Sequence, residues 1–235
     1  MKASITKNFD MDNRFDVIIV AAGSGTRLGF PTPKAFVPLA GKPMLQYAFN
    51  AFRQHPGTAQ MILVVPELMI ETARSGFAGN NVTIVPGGTQ RWESVRNGCK
   101  AATAEWVLVH DAARPFVTRA VIDALLDKRT TFDCAFSATP VVDTIRTYSG
   151  ETAGETVDRS GLVRVGTPQF FRRTQLAEGL ALAPTMSPPP TDDAMLMQRM
   201  NIPVGIAWGD PTNFKITTRE DLAMAEALLA SSPAS

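Results

Sequence analysis

A chain of 235 residues with 45% hydrophobic and 19% charged content has room for one large domain or two small ones, each with a substantial core. Its formal charge of +1 argues against wholesale binding of nucleic acid or an anionic membrane, which both need a concentrated basic surface, so any anion site must be local. Two cysteines, Cys99 and Cys134, and two histidines, His55 and His110, cannot assemble a zinc site of four N/S ligands and point to a reducing compartment. A divalent metal would then be held by oxygen, which favours magnesium.

In chain order, Met1–Arg14 is polar without an apolar signal core and is expected to be a flexible tail. No apolar run is long enough to cross a bilayer, and the expected location is the cytoplasm. Uniformly apolar runs at Val17–Val20, Met61–Val65, Val82–Val85 and Val107–Val109 predict buried strands of a mostly parallel sheet. Amphipathic segments around Met44–Phe52, Glu67–Arg74, Gln90–Ala102 and Thr118–Leu126 alternate with them, with Pro43 suited to a first helical turn. That β-α-β-α order predicts a doubly wound α/β domain over residues 15–230.

From Val141 to Val165 the pattern changes to alternation around the Gly/Thr/Glu-rich stretch Ser149–Thr156, which predicts a hairpin standing out from the sheet. Such a hairpin serves either as a dimerisation arm or as the solvated edge of a monomer. Pro184–Pro190 reads as loop, Thr191-Asp192 as the cap of a helix Ala194–Met200, and Ile202–Trp208 as a strand. Thr218-Arg-Glu-Asp221 has the form of a capping box before a last helix to Leu229, and residues 231–235 read as a tail.

The first chemical signal is Val17-Ile-Ile-Val-Ala21-Ala22-Gly23-Ser-Gly25-Thr-Arg27-Leu-Gly29, a strand running into a glycine-rich turn whose N–H groups can approach phosphate. No acidic residue lies between Asp16 and Glu67, whereas Arg27, Lys34, Lys42 and Arg53 do. The dinucleotide fingerprint fails, because its third glycine falls one place late and the acid expected about 20 residues on is missing; the P-loop pattern fails as well. A nucleotide site of another kind is implied, with Arg27 and Lys34 gripping a triphosphate.

A second signal, Pro86-Gly87-Gly88-Thr-Gln-Arg91-Trp-Glu-Ser94, ends a strand in two glycines and starts a helix, with Arg91 and Ser94 on one face; a tight turn with a solvated arginine reads equally well. The third, Trp106-Val-Leu-Val-His110-Asp111-Ala-Ala-Arg114-Pro, puts Asp111 at the carboxyl end of a buried strand, where open α/β sheets bind ligands and a carboxylate can hold Mg²⁺. His110 reads as supporting, since phosphate attack needs no strong base. Asp143-Thr144, Arg159, Thr167-Pro-Gln, Thr191-Asp-Asp and Asn213-Phe-Lys215 are individually caps, turns or surface charges.

Taken in order, AAGSGTRLGFPTPKAF, PGGTQRWESV, VLVHDAARPF, VVDTIRT, DRSGLVRVGTPQFF, TDDA and NFKITTREDL resemble the 2-C-methyl-D-erythritol 4-phosphate cytidylyltransferases of the non-mevalonate isoprenoid pathway, from about Val17 to Leu229. The resemblance implies one Rossmann-like nucleotidyltransferase domain flanked by helices, a projecting hairpin arm over about 141–165, a homodimer, and CTP bound with Mg²⁺. It also implies roles. Ala21, Ala22, Gly23, Gly25, Gly88 and Ser94 would line the nucleotide pocket with Arg91 supporting that loop, and Arg27 and Lys34 would bind the triphosphate. Lys215 would face the α-phosphate, Asp111 the ribose and metal, and Asn213 the metal side. Arg114, Thr144, Thr167, Thr191 and, from a neighbouring subunit, Arg159 would hold methylerythritol phosphate.

Two positions depart from the usual pattern, Ala35 after Pro33-Lys34 and Gly166 before Thr-Pro-Gln, and both stand where relatives commonly carry glutamine. A ribitol 5-phosphate cytidylyltransferase would share the CTP loop and differ around the acceptor, with Ala113 favouring methylerythritol phosphate. A non-catalytic nucleotide-binding regulator would bind CTP without releasing pyrophosphate, and Arg27, Lys34, Asp111 and Lys215 together argue against it. Some relatives carry a second enzyme domain after the transferase; this sequence is expected to perform one step.

Overall fold

The computed structural model describes residues 14–23 and 25–231; of the expected tails, 1–14 and 231–235, all but Arg14 and Ser231 lie outside the described residues. Strand β1 (Phe15–Val20) is apolar on both faces apart from Asp16 and lies inside a seven-stranded sheet with a strand on either side. Its parallel neighbours are β4 (Thr58–Val65) and β6 (Trp106–Asp111), with Ile18 opposite Ile62 on one side and Val109 on the other. The order across the sheet is β11-β7-β10-β6-β1-β4-β5, where β5 is Val82–Pro86, β7 Cys134–Pro140, β10 Val163–Arg172 and β11 Val204–Trp208. Only β10 runs antiparallel to its neighbours in this sheet.

The period of two in β1 divides the core. Phe15, Val17 and Ile19 face one layer, formed by α1 (Met44–Arg53), α2 (Ile70–Phe77) and α4 (Arg119–Leu126), through Leu45, Phe49, Phe52, Phe77, Ile122 and Leu125. Ile18 faces the other, where α3 (Arg91–Ala101), α5 (Arg173–Leu182) and α6 (Ala194–Arg199) supply Val95, Cys99, Leu176, Leu180 and Met197. Each large apolar side chain fully removed from water contributes about 1.5–3 kcal/mol, so both layers are anchored on the same strand. Asp16, fully buried in this strand, accepts from the N–H groups of Thr103 (2.6 Å) and Ala104 (2.8 Å), which ties the turn before β6 to β1.

The last helix, α7 (Arg219–Ser231), opens with the expected reciprocal cap: the Asp221 N–H donates to Thr218 Oγ1 (3.3 Å) and the Thr218 N–H to Asp221 Oδ2 (2.9 Å). It packs Leu222 and Ala225 on Leu28, Val37, Leu39, Met44 and Ile216, a third cluster beside the carboxyl ends of the strands.

Three local expectations are corrected. Val82–Val85 is only half-buried, because β5 is an edge strand with one sheet neighbour. Pro43 precedes α1 in extended conformation (φ −52°, ψ 136°) instead of sitting in its first turn, because it pairs with Pro38 in a two-residue ribbon, β2 (Pro38–Leu39) and β3 (Lys42–Pro43). The hairpin is smaller than 141–165. Strands β8 (Ile145–Ser149) and β9 (Thr152–Val157) pair only with each other, whereas Val163–Val165 already belong to β10 and pair with β7. Cys99 and Cys134 are buried free thiols, as small core residues should be.

Chain order fixes where a ligand can enter. From β1 the chain steps to β4 and β5 on one side and then crosses to β6 on the other, which leaves a crevice beyond the carboxyl ends of β1 and β6. Helix α3 covers β1 so closely that a Cβ at Gly98 would lie 2.5 Å from Ile18 Cγ2 and 3.1 Å from Val64 Cγ2. Alanine there would gain about 1 kcal/mol of helix propensity but cost about 1–3 kcal/mol by overpacking against strands that cannot retreat. Gly98→Ala is therefore expected to lower the urea midpoint; an unchanged or raised midpoint would show that the layers can separate.

Candidate active site

Beyond Val20 the chain enters the glycine-rich loop, which walls a cavity of about 300 Å³. Gly25 has φ +68°, and a Cβ on it would lie 2.5 Å from Lys34 Cβ, so only glycine lets the loop fold back against Lys34. The Lys34 N–H donates to Gly23 O at 3.3 Å, closing the loop around the side of the cavity where Arg27 and Lys34 stand. Opposite, the Gly87-Gly88 turn packs on Ala22, where a Cβ at Gly87 would come within 2.3 Å of Ala22 Cβ. Ala21, Ala22, Gly23, Gly25, Gly88, Arg91 and Ser94 all line this cavity.

The support expected of Arg91 for the second glycine turn comes from its neighbours instead. Ser94 Oγ, buried, accepts the Gly88 N–H at 3.0 Å, and Glu93 accepts from Thr89 Oγ1 (2.8 Å) and the Gln90 N–H (3.0 Å), so these two residues hold the second glycine turn. Arg91 does not. Its guanidinium lies 3.3 Å from Asp111 Oδ1 and 2.8 Å from Asp193 Oδ2, because the first turn of α3 aims it across the crevice at the end of β6.

Asp111 is the centre of the charge arrangement. Its Oδ2 accepts from Lys215 Nζ at 2.9 Å and lies 3.9 Å from Arg114 Nε, while Oδ1 faces Arg91. Burial alone would raise this carboxyl, but Arg91, Lys215 and Arg114 outweigh it and hold the group well below the usual carboxylate range. Lys34 is affected in the opposite sense: burial first, then nearby Lys215 and Arg27, lower its ammonium from 10.5 to about 8.

His110 supports the strand end and does not line the cavity. Its Nε2–H donates to Arg114 O (2.9 Å), Thr167 Oγ1 donates to Nδ1 (3.1 Å), and the same hydroxyl accepts the Asp111 N–H (3.1 Å). Burial pulls the imidazole down to about 4, so it stays neutral and its tautomer is set by this chain of bonds. Thr167, expected against the acceptor, is buried, and its hydroxyl fixes the backbone of Asp111. Asn213 is likewise buried, with Nδ2 donating to Thr167 O at 3.0 Å.

A second cavity, about 210 Å³, adjoins the first, and Lys215 lines both. Arg114, Thr139, Arg164 and Asp210 stand around it with Gly166, where a Cβ would come within 3.1 Å of Ser137 O and Oγ. Sequence reasoning names Asp193 only within the Thr191-Asp192-Asp193 group and does not single out Thr139, Arg164 or Asp210; of these three, Arg164 carries a signal, as the charged position between Val163 and Val165 on an alternating strand. Thr144, Arg159 and Thr191 are exposed and line neither cavity, with Arg159 donating to Val142 O on its own arm.

Among the described residues no three His, Cys, Asp or Glu side chains are grouped to hold a metal. Asp111 is the one carboxylate lining the larger cavity among those residues, and both its oxygens face cations. That set does not make an all-protein magnesium site, but it fits an ion that brings phosphate and water oxygens with it and needs one or two carboxylates.

A crevice in which one carboxylate is outnumbered by Arg27, Lys34, Arg91 and Lys215 suits a phosphate-rich ligand, and the likeness of almost the whole chain to solved cytidylyltransferases makes the protein a nucleotidyltransferase. The model of the 2-C-methyl-D-erythritol 4-phosphate cytidylyltransferase (IspD) family matches residues 15–231, and the chain belongs to that family. It is 42% identical over 215 residues to the 2-C-methyl-D-erythritol 4-phosphate cytidylyltransferase of Deinococcus radiodurans, covering 92% of this chain and 89% of that protein. To the bifunctional enzyme IspD/IspF of Desulfotalea psychrophila it is 37% identical, over 91% of this chain; it spans only 56% of that relative's length. The crystal structure of 2-C-methyl-D-erythritol 4-phosphate cytidylyltransferase from Thermus thermophilus superposes with a TM-score of 0.78 and 34% identity, covering 92% of this chain and 99% of that one.

Lys34 gives the site a pH dependence of definite sign. Its cationic form, which attracts a triphosphate, is full below its pKa of about 8 in the free protein and lost above it. Affinity for CTP is therefore expected to decline as the pH rises through 8, and Lys34→Arg, which stays charged, should remove that decline. Calorimetric titrations from about pH 7 to 9.5, spanning the lowered lysine range, check this; an equal decline in both proteins would assign it to another group.

Proposed function

We propose that the site transfers the cytidylyl group of CTP to 2-C-methyl-D-erythritol 4-phosphate, giving 4-diphosphocytidyl-2-C-methyl-D-erythritol and pyrophosphate in non-mevalonate isoprenoid precursor synthesis. The observation that carries this reading is Lys215, anchored on Asp111 at 2.9 Å, which lines both cavities at once. A cation at that junction serves a phosphorus atom passing from one ligand to another. A site that only bound the nucleotide would have no use for it.

The cytidine lies between the Ala21–Gly23 and Gly88–Ser94 turns, and the triphosphate faces Arg27 and Lys34. An oxygen of the acceptor phosphate, entering on the side of Arg114, attacks the α-phosphorus in line. The new P–O bond forms as the bond to the β-phosphate oxygen breaks, and pyrophosphate leaves with the electron pair. Lys215, Lys34 and Arg27 neutralise charge on the equatorial and leaving oxygens, and Arg91 and Asp193 keep Asp111 fixed so that Lys215 does not wander. Asp111 would supply the protein oxygen to Mg²⁺, which when bound with CTP adds its charge to that of the lysines.

The arm belongs to a homodimer in this reading. Its strands pair only with each other and expose Ile145 and Tyr148, Val142 is exposed ahead of them, and the arm carries Thr144 and Arg159 away from the cavities of their own chain. Arg159 and Thr144 then reach the acceptor of the neighbouring subunit. Among the described residues no helix is long and apolar enough to cross a membrane, and the two free buried thiols support a cytoplasmic enzyme.

The test is pyrophosphate release from CTP and Mg²⁺ with 2-C-methyl-D-erythritol 4-phosphate or D-ribitol 5-phosphate as acceptor, accompanied by sedimentation at assay concentration. Release with the first acceptor, from a dimer, is expected. Preference for ribitol phosphate would move the acceptor assignment, silence with both would refute transfer, and a monomer would remove Arg159 from the site.

A further inference from the structure

Arg219, at the start of α7, lines neither cavity, yet it is bonded to the loop that carries Arg27. Arg27 lies in a single helical turn, Thr26–Leu28, held within the loop by the Leu28 N–H donating to Gly25 O at 2.9 Å. The carbonyl at the far end of that turn, Leu28 O, accepts from Arg219 Nε at 3.2 Å. The guanidinium then lies over the Phe30 ring, 5.9 Å from its centroid, and occupies the space beside Gly29, where a Cβ would meet Nη2 at 2.9 Å. Gly29, at φ +70°, lets the chain turn under it.

The same turn of α7 also holds Lys215. Asp221 Oδ2 accepts the N–H groups of Thr217 (2.7 Å) and Thr218 (2.9 Å), and the Ile216 side chain between Lys215 and Thr217 is buried with Leu28 and Leu222. One helix start thus fixes the two chain segments that bring Arg27 and Lys215 to the nucleotide cavity.

We propose that Arg219 is a positioning residue for the reaction: by latching the Leu28 carbonyl to α7 it holds Arg27 at the spacing from Lys215 that a nucleoside triphosphate requires. This rests on the reading of the larger cavity as the CTP site, and it assigns no direct contact between Arg219 and the nucleotide. Its effect must pass through Arg27, which separates it from a general attraction of the Arg219 charge for phosphate.

The test is a double-mutant cycle on the full-length protein with CTP affinity, by calorimetry, and kcat/KM for CTP as readouts. Arg219→Ala is expected to weaken both by about tenfold, the scale of one hydrogen bond from a charged group, while KM for the acceptor at saturating CTP stays the same. In an Arg27→Ala background the same substitution should add less than about twofold. Arg219→Lys, which keeps the charge but lacks the guanidinium Nε and plane, should resemble alanine. Full recovery with lysine, additivity with Arg27→Ala, or wild-type affinity in Arg219→Ala would each overturn the latch. A protein that binds CTP without transferring it would refute the proposed function and leave the latch to be decided by the affinities. A protein that does not bind CTP would overturn both.

Discussion

The arrangement depends on one buried carboxylate. Asp111 ends a strand that is buried along its whole length, and taking its charge out of water is tolerated because Arg91, Lys215 and Arg114 surround it. The dependence is mutual. Without Asp111, cations converging from α3, from the end of β6 and from the segment before α7 would repel one another, and the Lys215 ammonium would lose the carboxylate that orients it. Asp193 behind Arg91, and the hydroxyl of Thr167 on the Asp111 N–H, keep the carboxylate from turning. The site is therefore preorganised for an anion before any anion arrives, which is the condition under which fixed charges stabilise a transition state most.

Elements whose side-chain pattern reports burial are legible in the sequence. The runs at Val17–Val20, Met61–Val65 and Val107–Val109 are apolar on both faces because each has a strand on either side and helices above and below. Val82–Val85 has the same kind of letters but only one neighbour, and composition alone does not separate an edge from a centre. The hairpin is visible as alternation, yet its far boundary is not: Val163 and Val165 alternate in β10 as they would in an arm, and only pairing with β7 assigns them to the sheet.

The same distinction governs the site. Residues that act through local backbone geometry, Gly23, Gly25, Gly88, Arg27 and Lys34, lie within motifs and are found there. Residues that act through long-range packing are easily misjudged. Thr167 lies in a conspicuous Thr-Pro-Gln block, but its hydroxyl serves Asp111 and His110, which are brought to it by the antiparallel pairing of β10 with β6. Asp193 reads as part of a helix cap because Asp192 is one, with Oδ1 accepting the Met195 N–H at 3.1 Å. Two adjacent aspartates of opposite use, one capping α6 and one pinning Arg91, cannot be told apart without the fold.

The most direct test of this account is the rate of pyrophosphate release by Asp111→Asn at saturating CTP and acceptor, in protein shown to be folded by near-ultraviolet circular dichroism. Asparagine keeps the shape and removes the charge, so Lys215 and Arg91 lose the group that places them. The account predicts a fall in kcat of about 10² or more, the scale expected when transition-state charge loses a preorganised partner. A folded Asp111→Asn protein that releases pyrophosphate at close to the parent rate would contradict it.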